Sequence, residues 1–234
     1  MRLGILETGE PPKEVDQFGD YPAMFRALFG RDAYDYQTFD VQAGKLPDSA
    51  DACAAYVITG SSAGVYDRLP WIEPLKDFLR AARGTPMVGI CFGHQIMAEA
   101  FGGKVIQSPK GWGVGLHRYE VQQPQAWMDA PRLTIAASHQ DQVVEAPPGA
   151  TVIAASAFTP FGMLAYGDQP AISLQLHPEF EPGYARALIE NRRGTRFTDQ
   201  QADQAILSFE QPDDRAQVGG WIQRFLAQAT LGRS

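Results

Sequence analysis

Apolar positions along the chain fall into two rhythms. "LGILE" at 3–7 and "AAYVITG" at 54–60 are short and almost continuously apolar, as strands covered on both faces should be. "YDYQTFDV" at 34–41 alternates with a period of two, which predicts another strand. Between them, "YPAMFRALF" carries apolar residues at helical spacing and stops at Gly30, while "WIEPLKDFLRAAR" at 71–83 is an amphipathic helix closed by Gly84. "PMVGI" then predicts a buried strand and "GHQIMAEAFGG" a helix. Strand, helix, strand, helix with tight connections predicts an α/β architecture: three layers, an open and mostly parallel sheet, and helices on both faces.

The middle of the chain changes character. "KVIQSP", "VGLHRYEV", "LTIAASHQDQVV", "TVIAASA", "GMLAYG" and "AISLQLHPEF" read as short strands broken by Gly, Pro and Asp. They predict a small antiparallel flank plus the last strands of the main sheet. Helical spacing returns in "GYARALIENRR", "DQQADQAILSF" and "DRAQVGGWIQRFLAQA". In the last of these Val218, Trp221, Ile222, Phe225 and Leu226 form one apolar stripe, expected to dock as a further layer over the sheet. The polar stretch "TGEPPKEVDQFGD" at 8–20 follows the first strand and so falls at the carboxyl edge, where ligands bind in such sheets. Asp16, Asp20 and Tyr21 are its candidate contacts.

Composition narrows the function classes. The 234 residues, 44% hydrophobic, suit one domain over 1–234 with a sizeable core. No segment approaches the ~18 unbroken apolar residues of a membrane span, and "MRLGILETGE" reads as a first strand rather than a signal peptide. A net charge of −7 argues against a nucleic-acid surface. The one basic cluster, "NRRGTR" at 191–196, reads as a solvated helix end. Two cysteines, Cys53 and Cys91, make no disulfide framework, and free thiols favour a cytoplasmic location.

Cys91 carries the candidate chemistry. It ends a buried strand where a helix begins, either as a small core hydrophobe or as a nucleophile held on a turn. Gly89 and Gly93 in "GICFG" would let that turn be sharp, as in a nucleophile elbow with cysteine in place of serine. Helix N–H groups and the helix dipole would favour thiolate there. Of the four histidines, His94 would be carried away from the thiol by its helix, and His117 has no acid at a useful spacing. His177 in "LQLHPEF" has Glu179 two residues on, and on a strand the two side chains share a face. Base and orienting carboxylate would then come from one tripeptide. Zinc ligation by Cys91, His94, His177 and Glu179 is the competing use. It lacks a CxxC or HExxH pattern and leaves the elbow glycines unexplained.

With "VITGSSAGVYD", "GICFGHQ", "GGKV", "SHQDQV" and "LHPE" in this order, nearly the whole chain resembles a class I (triad-type) glutamine amidotransferase. It is most similar to the glutaminase domain of GMP synthetase and its stand-alone relatives. The resemblance implies a flavodoxin-like fold with no cofactor and no metal. Cys91 would attack a γ-glutamyl amide and form a thioester, with His177 as base and then acid, and Glu179 orienting it. It further implies an oxyanion hole from the backbone of Gly60, Ser61 and Phe92, worth roughly 3 kcal/mol per donor. Gln95, Ser138, His139 and Gln140 would contact substrate. "TGSSAG" departs from the family's paired glycines, and no phosphate loop or ATP pyrophosphatase segment is present, so amidation of a nucleotide by this chain alone is not expected. Three functions follow as expectations: glutamine hydrolysis, with ammonia passed to a separate synthetase subunit where one exists; γ-glutamyl peptidase action on glutathione-like conjugates; or a non-catalytic binding role.

Overall fold

The computed structural model describes residues 1–232. In chain order its elements are β1 (Arg2–Glu7), α1 (Tyr21–Phe29), β2 (Asp35–Asp40), β3 (Ala55–Ile58), α2 (Ile72–Ala81), β4 (Met87–Ile90), α3 (Phe92–Ala100), β5 (Lys104–Gln107) and β6 (Gly113–Val121). There follow β7 (Arg132–His139), β8 (Asp141–Glu145), β9 (Ala150–Ala155), β10 (Met163–Tyr166), β11 (Ala171–Leu174), α4 (Pro182–Asn191), α5 (Asp199–Ser208) and α6 (Arg215–Leu231). Nine strands make one sheet in the order β2-β1-β3-β4-β11-β10-β9-β6-β7, and β5 pairs with β8 in a second, two-stranded sheet. The first five strands of that order are parallel, and the remaining four are added antiparallel. The expected antiparallel flank is thus mostly continuous with the main sheet; only β5 and β8 stand apart.

Burial explains why the central strands read as unbroken apolar runs. Every residue of β3, β4 and β11 is buried, because helices cover both faces and leave no wet side for a polar residue. Successive residues alternate between the two covers. Ile5, Val57 and Val88 join the cluster under α1 and α6, with Phe25, Trp221 and Ile222. Leu6, Ile58 and Met87 join the cluster under α2 and α3, with Leu75, Phe92 and Met97. The stripe of α6 docks as its spacing predicts: Val218, Trp221, Ile222 and Leu226 are fully buried.

Two departures from sheet regularity build the functional end. Only Glu120 and Val121 of β6 pair with β9, so the rest of the β6–β7 ribbon is free to curl back. It does so far enough for Ala136 of β7 to accept a hydrogen bond from the His177 N–H at 3.0 Å, although β7 and β11 lie four places apart in the sheet order. The chain then leaves the main sheet at Gln140 and enters the small one as β8. "LTIAASHQDQVV" is therefore two strands in two sheets, where its sequence reads as one. Among the described residues no helix is long and apolar enough to cross a membrane.

Trp221 joins α6 to the sheet through its ring and through an Nε1–H bond to Asp129 at 2.6 Å. Trp221→Ala should lower unfolding free energy by about 3–5 kcal/mol, read as a reduced urea midpoint with an unchanged slope; a loss under 1 kcal/mol would contradict this packing.

Candidate active site

Cys91 lies at the junction of β4 and α3 with φ 52° and ψ −100°, the only non-glycine residue with positive φ among those described. Such a conformation costs on the order of 1–3 kcal/mol and persists only where its surroundings impose it. Here the neighbouring strands do so. The Cys91 N–H donates to the Leu174 carbonyl of β11 at 2.8 Å, and the Gly93 N–H donates to the Thr59 carbonyl after β3 at 3.1 Å. Both elbow glycines are sterically required. A Cβ at Gly93 would stand 2.3 Å from the Ile58 carbonyl oxygen, and one at Gly89 2.5 Å from the Gly93 oxygen. The chain before and after the cysteine is thus pressed into a turn that only glycines allow.

His177 approaches from the other side. Its Nδ1 bonds Glu179 Oε1 at 2.7 Å, and both side chains are almost wholly buried. Burial pushes the imidazole down, but the charge of Cys91, then that of Glu179 with its hydrogen bond, hold it up, at about 10. The ring lies flat against Phe180, centroids 3.9 Å apart and planes 10° from parallel. The route to this geometry differs from the one the spacing predicts. β11 ends at Leu174, and residues 175–180 form bends and turns rather than strand. Glu179 reaches His177 around a turn in which the Phe180 N–H bonds the His177 carbonyl at 3.3 Å. Pro178, which cannot donate to a ladder, sits where the strand has already ended.

The other expected residues divide. Gly60 lies against this pair: a Cβ there would be 3.2 Å from His177 Cε1 and 3.8 Å from Cys91 Cβ. A cavity of about 420 Å³ opens beside Cys91, lined among others by Ser61, Gln95, Ser138, His139 and Gln140. Phe92 has a fully buried side chain, and as the first residue of α3 its N–H has no acceptor inside the helix. Gln95 Nε2 is engaged with the Asp141 carbonyl at 2.9 Å and Gln175 Oε1 at 3.2 Å. His139 is held neutral, at about 3, by burial and then by His117. His94 points away from the thiol to Ser173 Oγ at 2.8 Å. Among the described residues no three His, Cys, Asp or Glu side chains gather as metal ligands would.

Two expectations need correction. Of the three candidate contacts Asp16, Asp20 and Tyr21, only Tyr21 reaches the site, lining a recess with Cys91 and His177. Asp20 instead caps α1 through the Ala23 N–H, and Asp16 and Asp20 border a separate recess with Glu7. The cluster "NRRGTR" is not merely a solvated helix end. After α4 the chain doubles back, with a bridge between Arg193 and Phe197, and Arg192 and Arg196 line the Cys91 cavity beside Trp112. Gln175 joins the site without a motif to announce it: its Nε2 donates to Cys91 Sγ at 3.6 Å. It sits two residues before His177, in the bend that follows β11, where no strand period marks it.

The glutamine amidotransferase class-I family model matches residues 36–193. This chain belongs to the class-I glutamine amidotransferase family. A glutamine amidotransferase-like protein of Schizosaccharomyces pombe is 31% identical to it, over 97% of this chain and 98% of that one. Gamma-glutamyl peptidase 5 of Arabidopsis thaliana is 30% identical over 95% of this chain and 93% of its own length. A GMP synthase of Parafrankia is 33% identical over 73% of this chain but only 32% of the longer protein. In fold, the chain is similar to a glutamine amidotransferase from Methylobacillus flagellatus, with TM-score 0.79 at 22% identity, covering 99% of this chain and 94% of that one.

The raised His177 value fixes a pH dependence. A histidine whose pKa is higher folded than unfolded stabilises fully below its unfolded value, ~6.5. That contribution fades as pH climbs toward about 10. The margin in melting temperature of wild type over His177→Gln should therefore shrink between pH 6.5 and 10; a margin that grew over that range would reverse the sign.

Proposed function

We propose that the protein hydrolyses γ-glutamyl amide bonds through a thioester on Cys91. The observation that carries this reading is the buried imidazole of His177, bonded through Nδ1 to Glu179 at 2.7 Å and sharing one recess with Cys91, whose charge holds the ring's pKa up. His177 takes the thiol proton, and the Cys91 sulfur attacks the γ-carbonyl carbon. As the tetrahedral intermediate collapses, the C–N bond breaks and His177 returns the proton to the departing amine. Water, deprotonated by the same imidazole, then adds to the thioester and releases glutamate and the free thiol. Glu179 fixes the tautomer and stabilises the imidazolium.

The oxyanion assignment to Gly60, Ser61 and Phe92 has local support. The Gly60 carbonyl accepts from the hydroxyls of Thr8 and Thr59, both at 3.2 Å. In a trans peptide the following N–H, that of Ser61, points the opposite way. Ser61 borders the cavity together with Cys91, so that N–H and the one opening α3 would converge on the reacting oxygen. Backbone at 138–140 and the Gln95 amide would hold the amino-acid end of the substrate.

A peptide-like leaving group is compatible with the cavity beside Cys91, which opens to solvent and measures roughly 420 Å³. Its size lies in the ordinary range of small-molecule sites. The resemblance over full length to a gamma-glutamyl peptidase points the same way. The second reading, a glutaminase serving a separate synthetase, keeps the same chemistry.

Glutamate release from glutathione and from glutamine, assayed in parallel on the purified protein, tests the reading. Cys91→Ala should abolish release and Glu179→Gln should lower kcat by about 10²–10⁴-fold, each without loss of fold by circular dichroism. Undiminished release by Cys91→Ala would end the thioester proposal. Activity on glutamine that appears only with an added synthetase would favour the second reading.

A further inference from the structure

The cavity beside Cys91 holds a cation to which the hydrolysis proposed above assigns no step. Arg192 closes α4, half-buried, and its Nη1 donates to Ser138 Oγ at 3.0 Å. Among the described residues, none of the ion pairs involves it. The acids of this segment are spent on the adjacent Arg193 instead, which meets Glu190 and Asp203 at 2.9 Å each and Asp199 at 3.8 Å. Arg192 faces a second positive charge, Arg196, whose guanidinium lies 5.3 Å from the centre of the Trp112 ring. Burial first, and then Arg196, hold the Arg192 value below its usual one. An incompletely compensated cation of this kind is unfavourable by itself and is relieved by a bound anion.

Its position says which end of a substrate the anion belongs to. Arg192 lines both the main cavity and the small recess formed by Tyr21, Cys91, His177 and Phe180. His177 must return a proton to the departing nitrogen, so the recess that Arg192 shares with it borders the leaving group, while the Ser138 bond ties the same guanidinium to the strand end assigned to the amino-acid end. The cavity wall also carries Asp67 and Asp141, and Asp141 is pushed up by burial and then by Asp67. Those carboxylates suit the α-ammonium of the glutamyl group. We propose that Arg192, backed by Arg196, binds the free carboxylate of a peptide leaving group, so that the substrates are γ-glutamyl peptides ending in an unblocked carboxylate. The inference rests on the γ-glutamyl hydrolase reading and narrows its substrate class. Ammonia as leaving group would leave Arg192 unmatched, whereas a dipeptide reaches ~7 Å from the scissile nitrogen, enough to place its terminus beyond the catalytic pair.

The test compares kcat/KM for glutathione, glutathione amidated at its C-terminus, and glutamine, with wild type, Arg192→Gln and Arg192→Lys. Charge-assisted bonds to a carboxylate should give wild type a preference for glutathione over its amide of about 10-fold or more. Arg192→Gln should bring that ratio close to 1, Arg192→Lys should keep an intermediate one, and the change should fall mainly on KM. A structural defect would lower both substrates together and leave the ratio intact. A wild-type ratio near 1, or a ratio that survives in both variants, overturns the subsite while hydrolysis stands. An equal loss on all three substrates would assign Arg192 to the α-carboxylate they share and overturn it too. Should Arg192→Gln fail to fold by circular dichroism, the Arg192→Lys ratio decides. Release from none of the three by wild type overturns the hydrolase reading itself.

Discussion

The backbone of one residue sets the terms for the rest of the site. Cys91 can hold φ 52° and ψ −100° only because β4 lies between two parallel neighbours that grip the chain on both sides of it, through the Leu174 and Thr59 carbonyls. A central buried strand is the stiffest place in such a sheet, so strain of a few kcal/mol survives there that an edge strand would relax. The same grip explains the glycines. With the helix start pushed toward β3, the Gly93 backbone passes so close to Ile58 that no side chain fits. Sheet order, elbow strain and glycine placement are one constraint seen at three scales.

Around that fixed point the side chains are positioned by long-range contacts as well as by near neighbours in sequence. Gln175 joins the sulfur of Cys91 to the amide of Gln95, and Gln95 in turn holds the Asp141 carbonyl at the start of β8. The imidazole of His177 is pinned by Glu179 in its plane and by Phe180 on its face. Phe180 belongs to the third apolar cluster, with Tyr21, Tyr184 and Leu188. The α4–α5 layer therefore holds the histidine's orientation as well as covering the sheet. Because this layer also ends in Arg192, the elements that orient His177 also bring a positive charge to the recess beside Cys91.

Much of the fold was legible because buried parallel strands and amphipathic helices leave strong periodic signals. "AAYVITG", "PMVGI" and the α6 stripe fall where the apolar spacing puts them. Weak periodicity marks the places that were not. "LTIAASHQDQVV" gives no sign that its two halves belong to different sheets, because the switch at Gln140 depends on how the β6–β7 ribbon curls. The pairing of His177 with Glu179 follows from a spacing of two, which predicts a shared strand face, whereas the structure makes it with a turn. A two-residue separation brings side chains together in either conformation.

The sequence by itself determined the alternation of buried strands and covering helices, the sharp turn at Cys91, and the nearness of Glu179 to His177, since all of these follow from residues within a few positions of one another. Only the tertiary structure decided that Gln175 touches the sulfur, that Tyr21 and Tyr184 back the Phe180 ring against the imidazole, and that Arg192 and Arg196 line the cavity while Asp16 and Asp20 do not. Most of those contacts join segments far apart in the chain. Local pattern records which face of an element is apolar, but which element that face meets is fixed by packing of the whole chain.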